Sequence, residues 1–136
     1  MAFDKYDPQS PEHFAQNARL FIDFIQKKMG IILRYDMESV WKLDGIVKAV
    51  GTPKNLEKWV LSMGSFLGEA FRHLYGGRWE WSDHWKTWGV TFPLGQDGED
   101  AAHVFAKVQK RFVDGEGDSI SFMGEVVDQR VKGIIP

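Results

Sequence analysis

The strongest pattern along the chain is a broad apolar face between residues 56 and 75. On a helical wheel one line carries Leu56, Val60, Met63, Leu67, Ala70 and Leu74. Aromatic and small residues widen that line, so the apolar arc covers roughly two-thirds of the circle, well beyond the ~100° stripe of a surface helix. We therefore predict a central helix, begun by Thr52-Pro53 and ended by Gly76-Gly77, that other elements cover on several sides.

Two glycines, Gly64 and Gly68, lie one turn apart within this apolar face. Each destabilises a helix by about 1 kcal/mol relative to alanine. We expect that another element approaches closely over this turn.

A narrow polar strip completes the central helix. Its members are Lys58, Ser62, Ser65, Glu69, Arg72 and His73. Arg72 and His73 follow Glu69 by three and four residues, so all three side chains can touch. One interpretation is a solvated strip with weak ion pairs. The other is a carboxylate oriented by a cation in a cleft beside the tryptophans, with His73 as the group that titrates near neutral pH.

Two amphipathic helices are predicted before the central one. The first begins at Ser10-Pro11-Glu12, ends at Gly30, and buries a line of residues at spacings of three and four. That line is Phe14, Ala18, Phe21, Ile25 and Met29. The second begins after Asp36 and ends at Gly51, and Asp44-Gly45 interrupts its buried line.

Strand periodicity follows the central helix. Trp79 and Trp81 alternate with Arg78 and Glu80, and Ser82-Asp83-His84 is typical of a turn. A second strand is predicted from about Trp85 to Leu94, because aromatic and β-branched residues suit a half-buried sheet. Two strands alone are marginally stable, so we expect a third near Ala101 to Val104, after an exposed acidic loop over residues 95–100.

Helical periodicity returns at Phe105, is broken by Gly115 and Gly117, and resumes after a cap at Asp118-Ser119. The basic residues Lys107, Lys110 and Arg111 are interpreted as a solvated helix face. The predicted fold is α+β: three N-terminal helices organised around a central helix, a small antiparallel sheet of two or three strands, and two C-terminal helices. Residues 1–9 are predicted to be a polar lead-in, and residues 10–136 one globular domain.

Composition supports a core without crosslinks. Of 136 residues, 43% are hydrophobic, and the chain has six Trp, ten Phe and no Cys. Large aromatic residues each remove about 150–250 Å² from water when buried. The absence of cysteine rules out disulfides and fits a reducing compartment. The net charge of −2 argues against a protein that binds nucleic acids by neutralising their phosphates. We expect a cytoplasmic protein with no signal peptide and no membrane span.

Catalytic and metal-binding patterns are missing from the sequence. The four histidines lie at positions 13, 73, 84 and 103, without the spacing of a zinc site. Gly76-Gly77 does not fit a phosphate loop, and no serine precedes a recognisable His and Asp set. We expect no cofactor and no metal. The tryptophans at 79, 81, 85 and 88 either pack in the core or, if one or two stay exposed, form a platform for binding.

Three segments resemble a family of small, uncharacterised bacterial proteins. The family pattern is LDY-x-x-ESL-x-x-LD, then a YLGEV helix ending in GG-x-W, then P-x-x-KV-x-KR-x-x-x-G-x-x-DSL. In this chain the segments are 33–44, 66–79 and 107–120, within a resemblance that spans about residues 33–123. The departures are Arg34, Ala70 and the lack of a proline before Lys107. The resemblance implies a bacterial cytoplasmic protein with Glu69 and Trp79 in its signature, and no reaction.

Two functional hypotheses follow. The first is a non-enzymatic interaction domain that binds a protein partner or itself, since tryptophan is in excess and no catalytic set converges. The second is a small enzyme or ligand-binding protein. Its candidate binding residues are Glu69, Arg72, His73, Trp79 and Trp81. A third hypothesis, a role against a toxin or phage component, rests only on small size and the bacterial resemblance.

Overall fold

A computed structural model describes residues 10–95 and 98–135; the predicted lead-in, residues 1–9, lies outside them. The elements in chain order are α1 (Pro11–Met29), α2 (Met37–Val50), α3 (Leu56–Tyr75), β1 (Arg78–Ser82), β2 (Thr87–Pro93), β3 (Glu99–Ala102), α4 (Val104–Asp114), a 3₁₀ turn (Glu116–Asp118) and α5 (Ile120–Val131). The sheet is antiparallel with strand order β1-β2-β3. The predicted α+β class is confirmed.

Three of the four helix starts that were predicted from capping residues are confirmed by side-chain caps. The side chain of Ser10 accepts a hydrogen bond from the backbone N–H of His13. The side chains of Asp36 and Ser119 accept in the same way from the backbone N–H groups of Ser39 and Phe122. The start predicted at Thr52-Pro53 is wrong: α3 begins at Leu56, and its N-cap residue Asn55 makes no side-chain capping bond. A proline favours a turn as well as a first helical position, and here a turn at Lys54-Asn55 intervenes.

The strand boundaries differ slightly from prediction. Trp85 and Lys86 belong to the turn, where Lys86 has φ 52°, so β2 begins two residues later than expected. β3 begins at Glu99, earlier than the predicted Ala101, because Glu99 pairs with Pro93 across the sheet. Of the predicted acidic loop, Glu99 and Asp100 are therefore in a strand, and residues 96–97 lie outside the described part.

Helix α3 is the hub of the fold. Nine consecutive residues, Met63–Phe71, are buried. The helix contacts α1, α2, α4, β1 and β2, and the Tyr75 hydroxyl at its end donates to Asp128 of α5 at 2.7 Å. Leu74, placed in the predicted buried line, is an exception because it is exposed. The prediction that several elements cover this helix is confirmed.

The two helical glycines of α3 lie under aromatic rings. A Cβ at Gly64 would overlap the ring of Phe105 of α4, and a Cβ at Gly68 would overlap the indole of Trp79 of β1. The predicted close approach is therefore confirmed. The glycines let α4 and the sheet lie directly on the α3 backbone.

Asp44 of α2 connects its own helix to α4 and α5. Its carboxylate accepts from the backbone N–H groups of Ile120 and Ser121 at 3.0 and 2.8 Å, from Ser119 Oγ at 2.9 Å, and from Arg111 Nε at 2.8 Å. An anion at a helix N-terminus is favoured by the helix dipole. Asp44 thus caps α5 from another helix and holds α4 beside it.

Arg111 corrects the predicted basic face. Its side chain is buried against Asp44, and Lys107 is half-buried beside Asp118. Only Lys110 of the three fits a solvated face, being exposed. The interruption of the α2 apolar line at Asp44 is the sequence feature that matches this buried ion pair.

Alanine in place of a helical glycine should destabilise the protein where an aromatic ring covers the glycine and stabilise it where the glycine is exposed. Gly68→Ala forces the Trp79 indole to move and should lower the free energy of unfolding by about 1–3 kcal/mol. Gly45→Ala, on the exposed face of α2 with no atom within 4 Å of its Cβ, should raise it by up to about 1 kcal/mol. Urea unfolding of both variants measures this, and a stable Gly68→Ala protein would contradict the packing.

Asp44 should also make the protein sensitive to acid. Burial raises the pKa of its carboxyl, but hydrogen bonds from the Ser121 and Ile120 N–H groups and from Arg111 outweigh this and lower the pKa from 3.8 to about 2. A depressed pKa contributes stability above the unfolded value, and this is lost as pH falls from about 4 to about 2.

The variant Asp44→Asn tests this contribution. At neutral pH it should unfold with about 2 kcal/mol less free energy than the parent chain. The difference between the two proteins should shrink as the pH is lowered through that window. Urea unfolding at several pH values measures it, and a difference independent of pH would show that the Asp44 charge is not what stabilises this junction.

Candidate functional site

The structure brings four of the five predicted binding residues together in what we name the Glu69 cluster: Glu69, Arg72, His73 and Trp79, with Tyr35 added. Glu69 is only 3% exposed, against the first interpretation of a solvated strip. Its Oε2 accepts from Trp79 Nε1 at 2.8 Å and from Arg72 Nε at 3.0 Å. The helix and the first strand are therefore connected by a buried carboxylate.

The outer side of the Glu69 cluster is formed by exposed and half-buried rings. His73 Nε2 lies 3.8 Å from Glu69 Oε1, and the His73 ring stacks on Tyr35 with centroids 4.4 Å apart. Burial, and then the charge of Glu69, raise the pKa of the Tyr35 hydroxyl. Arg72 and His73 are both exposed. Arg72 and His73 cover the outer side of the Glu69 carboxylate, while Trp79 contacts it from the core.

Trp79 lies in the core between three elements. Its indole packs on Gly68, stacks on Phe105 at 5.7 Å and meets Phe14 at 4.5 Å. A buried indole N–H needs an acceptor, and Glu69 supplies it. The geometry of Glu69 and Trp79 is that of a structural anchor.

Trp81, the fifth predicted residue, belongs to a different surface that we name the indole cluster: Trp81, His84, Trp85, Trp88 and His103. Trp81 and Trp88 are directly opposite each other across β1 and β2, with rings 6.1 Å apart. They lie on the same sheet face as Trp79, since alternate residues share a face. This face is buried at Trp79 and exposed at Trp81.

Exposure rises along the hairpin. Trp79 is 7% exposed, Trp81 44% and Trp85 65%. The Trp85 ring lies between His84, at 4.7 Å, and His103, at 6.0 Å. Burial lowers the pKa of His103. Of the two possibilities kept open for these tryptophans, core packing holds for Trp79, while Trp81 and Trp85 are exposed.

A groove between α1 and the start of α3 was not predicted. Its cavity volume is about 560 Å³. We name it the α1–α3 groove, and its lining is Asn17, Leu20, Phe21, Phe24, Asn55, Lys58, Trp59, Leu61 and Ser62. The available sequence signal was the pair Leu20 and Phe24, apolar residues one turn apart that lie off the buried line of α1.

A smaller cavity of about 270 Å³ lies beside Asp44 and Arg111. These two side chains are already paired with each other, and Lys48, Glu116 and Ser119 complete its polar lining. Among residues 10–95 and 98–135, no group of three or more His, Asp or Glu side chains is placed to hold a metal ion. Within the same ranges, no helix is both long and apolar enough to traverse a bilayer.

Comparisons with protein-family models, curated proteins and solved structures gave no match to this chain. The bacterial family resemblance therefore stays a prediction. The interpretation of the three surfaces rests on their geometry.

The buried hydrogen bond between Glu69 and Trp79 should contribute more to stability than the exposed contact between Glu69 and Arg72. Glu69→Ala leaves the Trp79 indole N–H buried without an acceptor and should lower the free energy of unfolding by about 2–3 kcal/mol. Arg72→Ala removes only an exposed partner and should change it by less than about 1 kcal/mol. Urea unfolding compares the two, and equal, small effects would exclude an anchoring role for Glu69.

Proposed function

We propose that this chain is a non-enzymatic interaction domain that binds a protein partner, or a second copy of itself, through the indole cluster. The observation that carries the proposal is the exposure of Trp81 and Trp85 on one hairpin. Tryptophan is among the residues most enriched at the energetic centres of protein interfaces. A protein-binding surface exposes such large side chains to water until its partner covers them.

The indole cluster is ordered by its own contacts. The Trp81 indole Nε1 donates to Asp83 at 3.0 Å, and the backbone N–H of Trp85 donates to Ser82 Oγ at 3.1 Å. Trp88, which meets Trp81, packs on Phe14 of α1 at 5.5 Å. Side chains already held in place lose less entropy when a partner binds. The hairpin therefore supports a preformed binding surface.

Charge supports a protein partner over a nucleic acid. The net charge is −2, and the turn beside the indoles carries Asp83 and Lys86, one of each sign. Nucleic-acid surfaces are usually basic because they neutralise phosphates. The absence of cysteine supports a reducing, cytoplasmic location.

The alternative function is a small enzyme or ligand-binding protein with its site at Glu69, Arg72 and His73 beside Trp79. It has weaker support, because Glu69 is buried and already accepts two hydrogen bonds from within the chain. Both cavities described above are lined by other residues. The interaction domain accounts for the exposed indoles, which the alternative leaves unused.

Site-specific photo-crosslinking tests the proposal. Benzoylphenylalanine placed at position 85 should give a covalent product of discrete mass in cells that express the chain naturally. The control is the same label at Val113 of α4, whose exposed fraction of 63% is similar to the 65% of Trp85; this label should give no product. Trp81→Ser should reduce the product at position 85, since both indoles serve one interface.

Sedimentation velocity of the purified chain identifies the partner class. A dimer that Trp85→Ser dissociates assigns the product to a second copy, and a monomer together with a crosslinked product assigns it to another protein. A monomer with no product from labels at positions 81 and 85 would refute the proposed function.

A further inference from the structure

The α1–α3 groove has the volume of a small-molecule site and shares no lining residue with the indole cluster. Its walls are Leu20, Phe21, Phe24, Trp59 and Leu61, and its volume of about 560 Å³ lies within the usual range for ligand pockets of roughly 300–1,000 Å³. Leu20 and Phe24 are 58% and 43% exposed. These apolar side chains are in water and would be covered by an apolar ligand.

Trp59 forms the back wall of the groove. Its ring meets Phe21 at 6.3 Å and Phe24 at 5.9 Å, both edge to face, and is supported from α4 by Phe112 at 6.3 Å. Edge-to-face aromatic packing is favourable and fixes ring orientation. The wall is therefore built before any ligand arrives.

The polar part of the lining has one sign of charge. Among residues 10–95 and 98–135, Lys58 is the single ionisable side chain of the lining, and within those ranges it makes no ion pair. The remaining polar lining residues are Asn17, Asn55 and Ser62, which are neutral. On α1, Lys28 lies one turn beyond Phe24 on the same face. This lining is complementary to an anion.

The start of α3 contributes partial positive charge at one end of the groove; the acidic residue of its first turn, Glu57, is exposed and is not part of the lining. Asn55, a lining residue, is the N-cap of this 20-residue helix and makes no side-chain capping bond. The first N–H groups of a helix are unpaired within it and carry partial positive charge. A carboxylate next to Lys58 would lie at this end of the groove.

We propose that the α1–α3 groove binds a small amphipathic carboxylic acid. Its hydrocarbon part lies against Leu20, Phe24 and Trp59, and its carboxylate faces Lys58 and Asn55. This inference is independent of the interaction surface on the hairpin, which lies where α1 begins, near Phe14. The groove starts at Asn17, about one turn further along α1, and continues to Phe24 and the start of α3.

Decanoate, below its micelle concentration, and uncharged decanol are the probes. Calorimetric titration of the full chain should show that decanoate binds more tightly than decanol. Hexanoate should bind at least about tenfold more weakly than decanoate, since each buried CH₂ contributes. In NMR spectra, decanoate should shift the indole N–H resonance of Trp59 and leave that of Trp85 in place.

Charge reversal locates the carboxylate. Lys58→Glu should weaken decanoate binding about tenfold and leave decanol binding within about twofold. The matched control, Lys86→Glu in the hairpin turn, should change neither. Leu20→Ser, at an exposed position, should weaken both probes without unfolding the chain.

Three results would overturn the inference. Decanoate and decanol could bind equally, with Lys58→Glu silent. The shifts could fall on Trp85 and not on Trp59. The purified chain could also form a dimer that Leu20→Ser dissociates, which would assign the groove to a second copy.

Discussion

The fold depends on one buried contact, the Trp79 indole lying on Gly68 with its N–H held by Glu69. The indole can lie there only because position 68 has no side chain. Its N–H can be buried because the Glu69 carboxylate accepts a hydrogen bond from it. Helix α3 supplies both features within two successive residues. The contact fixes the sheet against the hub, and the hairpin extends outward from that fixed point.

This anchor explains why the tryptophans of the hairpin divide into a buried group and an exposed group. The sheet face that carries Trp79 continues through Trp81 and Trp88, but the core ends before the strands do. Residues of the same type on the same face are therefore structural at one end and accessible at the other. Another tryptophan, Trp59, lies half-buried at the start of α3, where α1 forms the other wall of the groove. The two surfaces differ in chemistry, one with histidines beside its indoles and one with a lysine.

The sequence was sufficient to predict the hub, because hydrophobic periodicity, glycine spacing and helix caps are local features. The same pattern predicted the hairpin, since Trp79 and Trp81 alternate with charged residues. Tertiary partners could not be predicted. Glu69 and Arg111 follow the polar pattern of solvated residues, and only the elements folded over them make them buried. The α1–α3 groove also depends on how two helices meet, although Leu20 and Phe24, outside the buried line of α1, indicated that a second apolar surface exists.

The claim that α3 is an enclosed hub is tested most directly by native-state hydrogen exchange followed by NMR. The amides of Met63–Phe71 and the indole N–H of Trp79 should exchange only through global unfolding, with the same free energy as urea denaturation gives. Exchange of these groups through local opening, at a free energy well below the global value, would contradict the account.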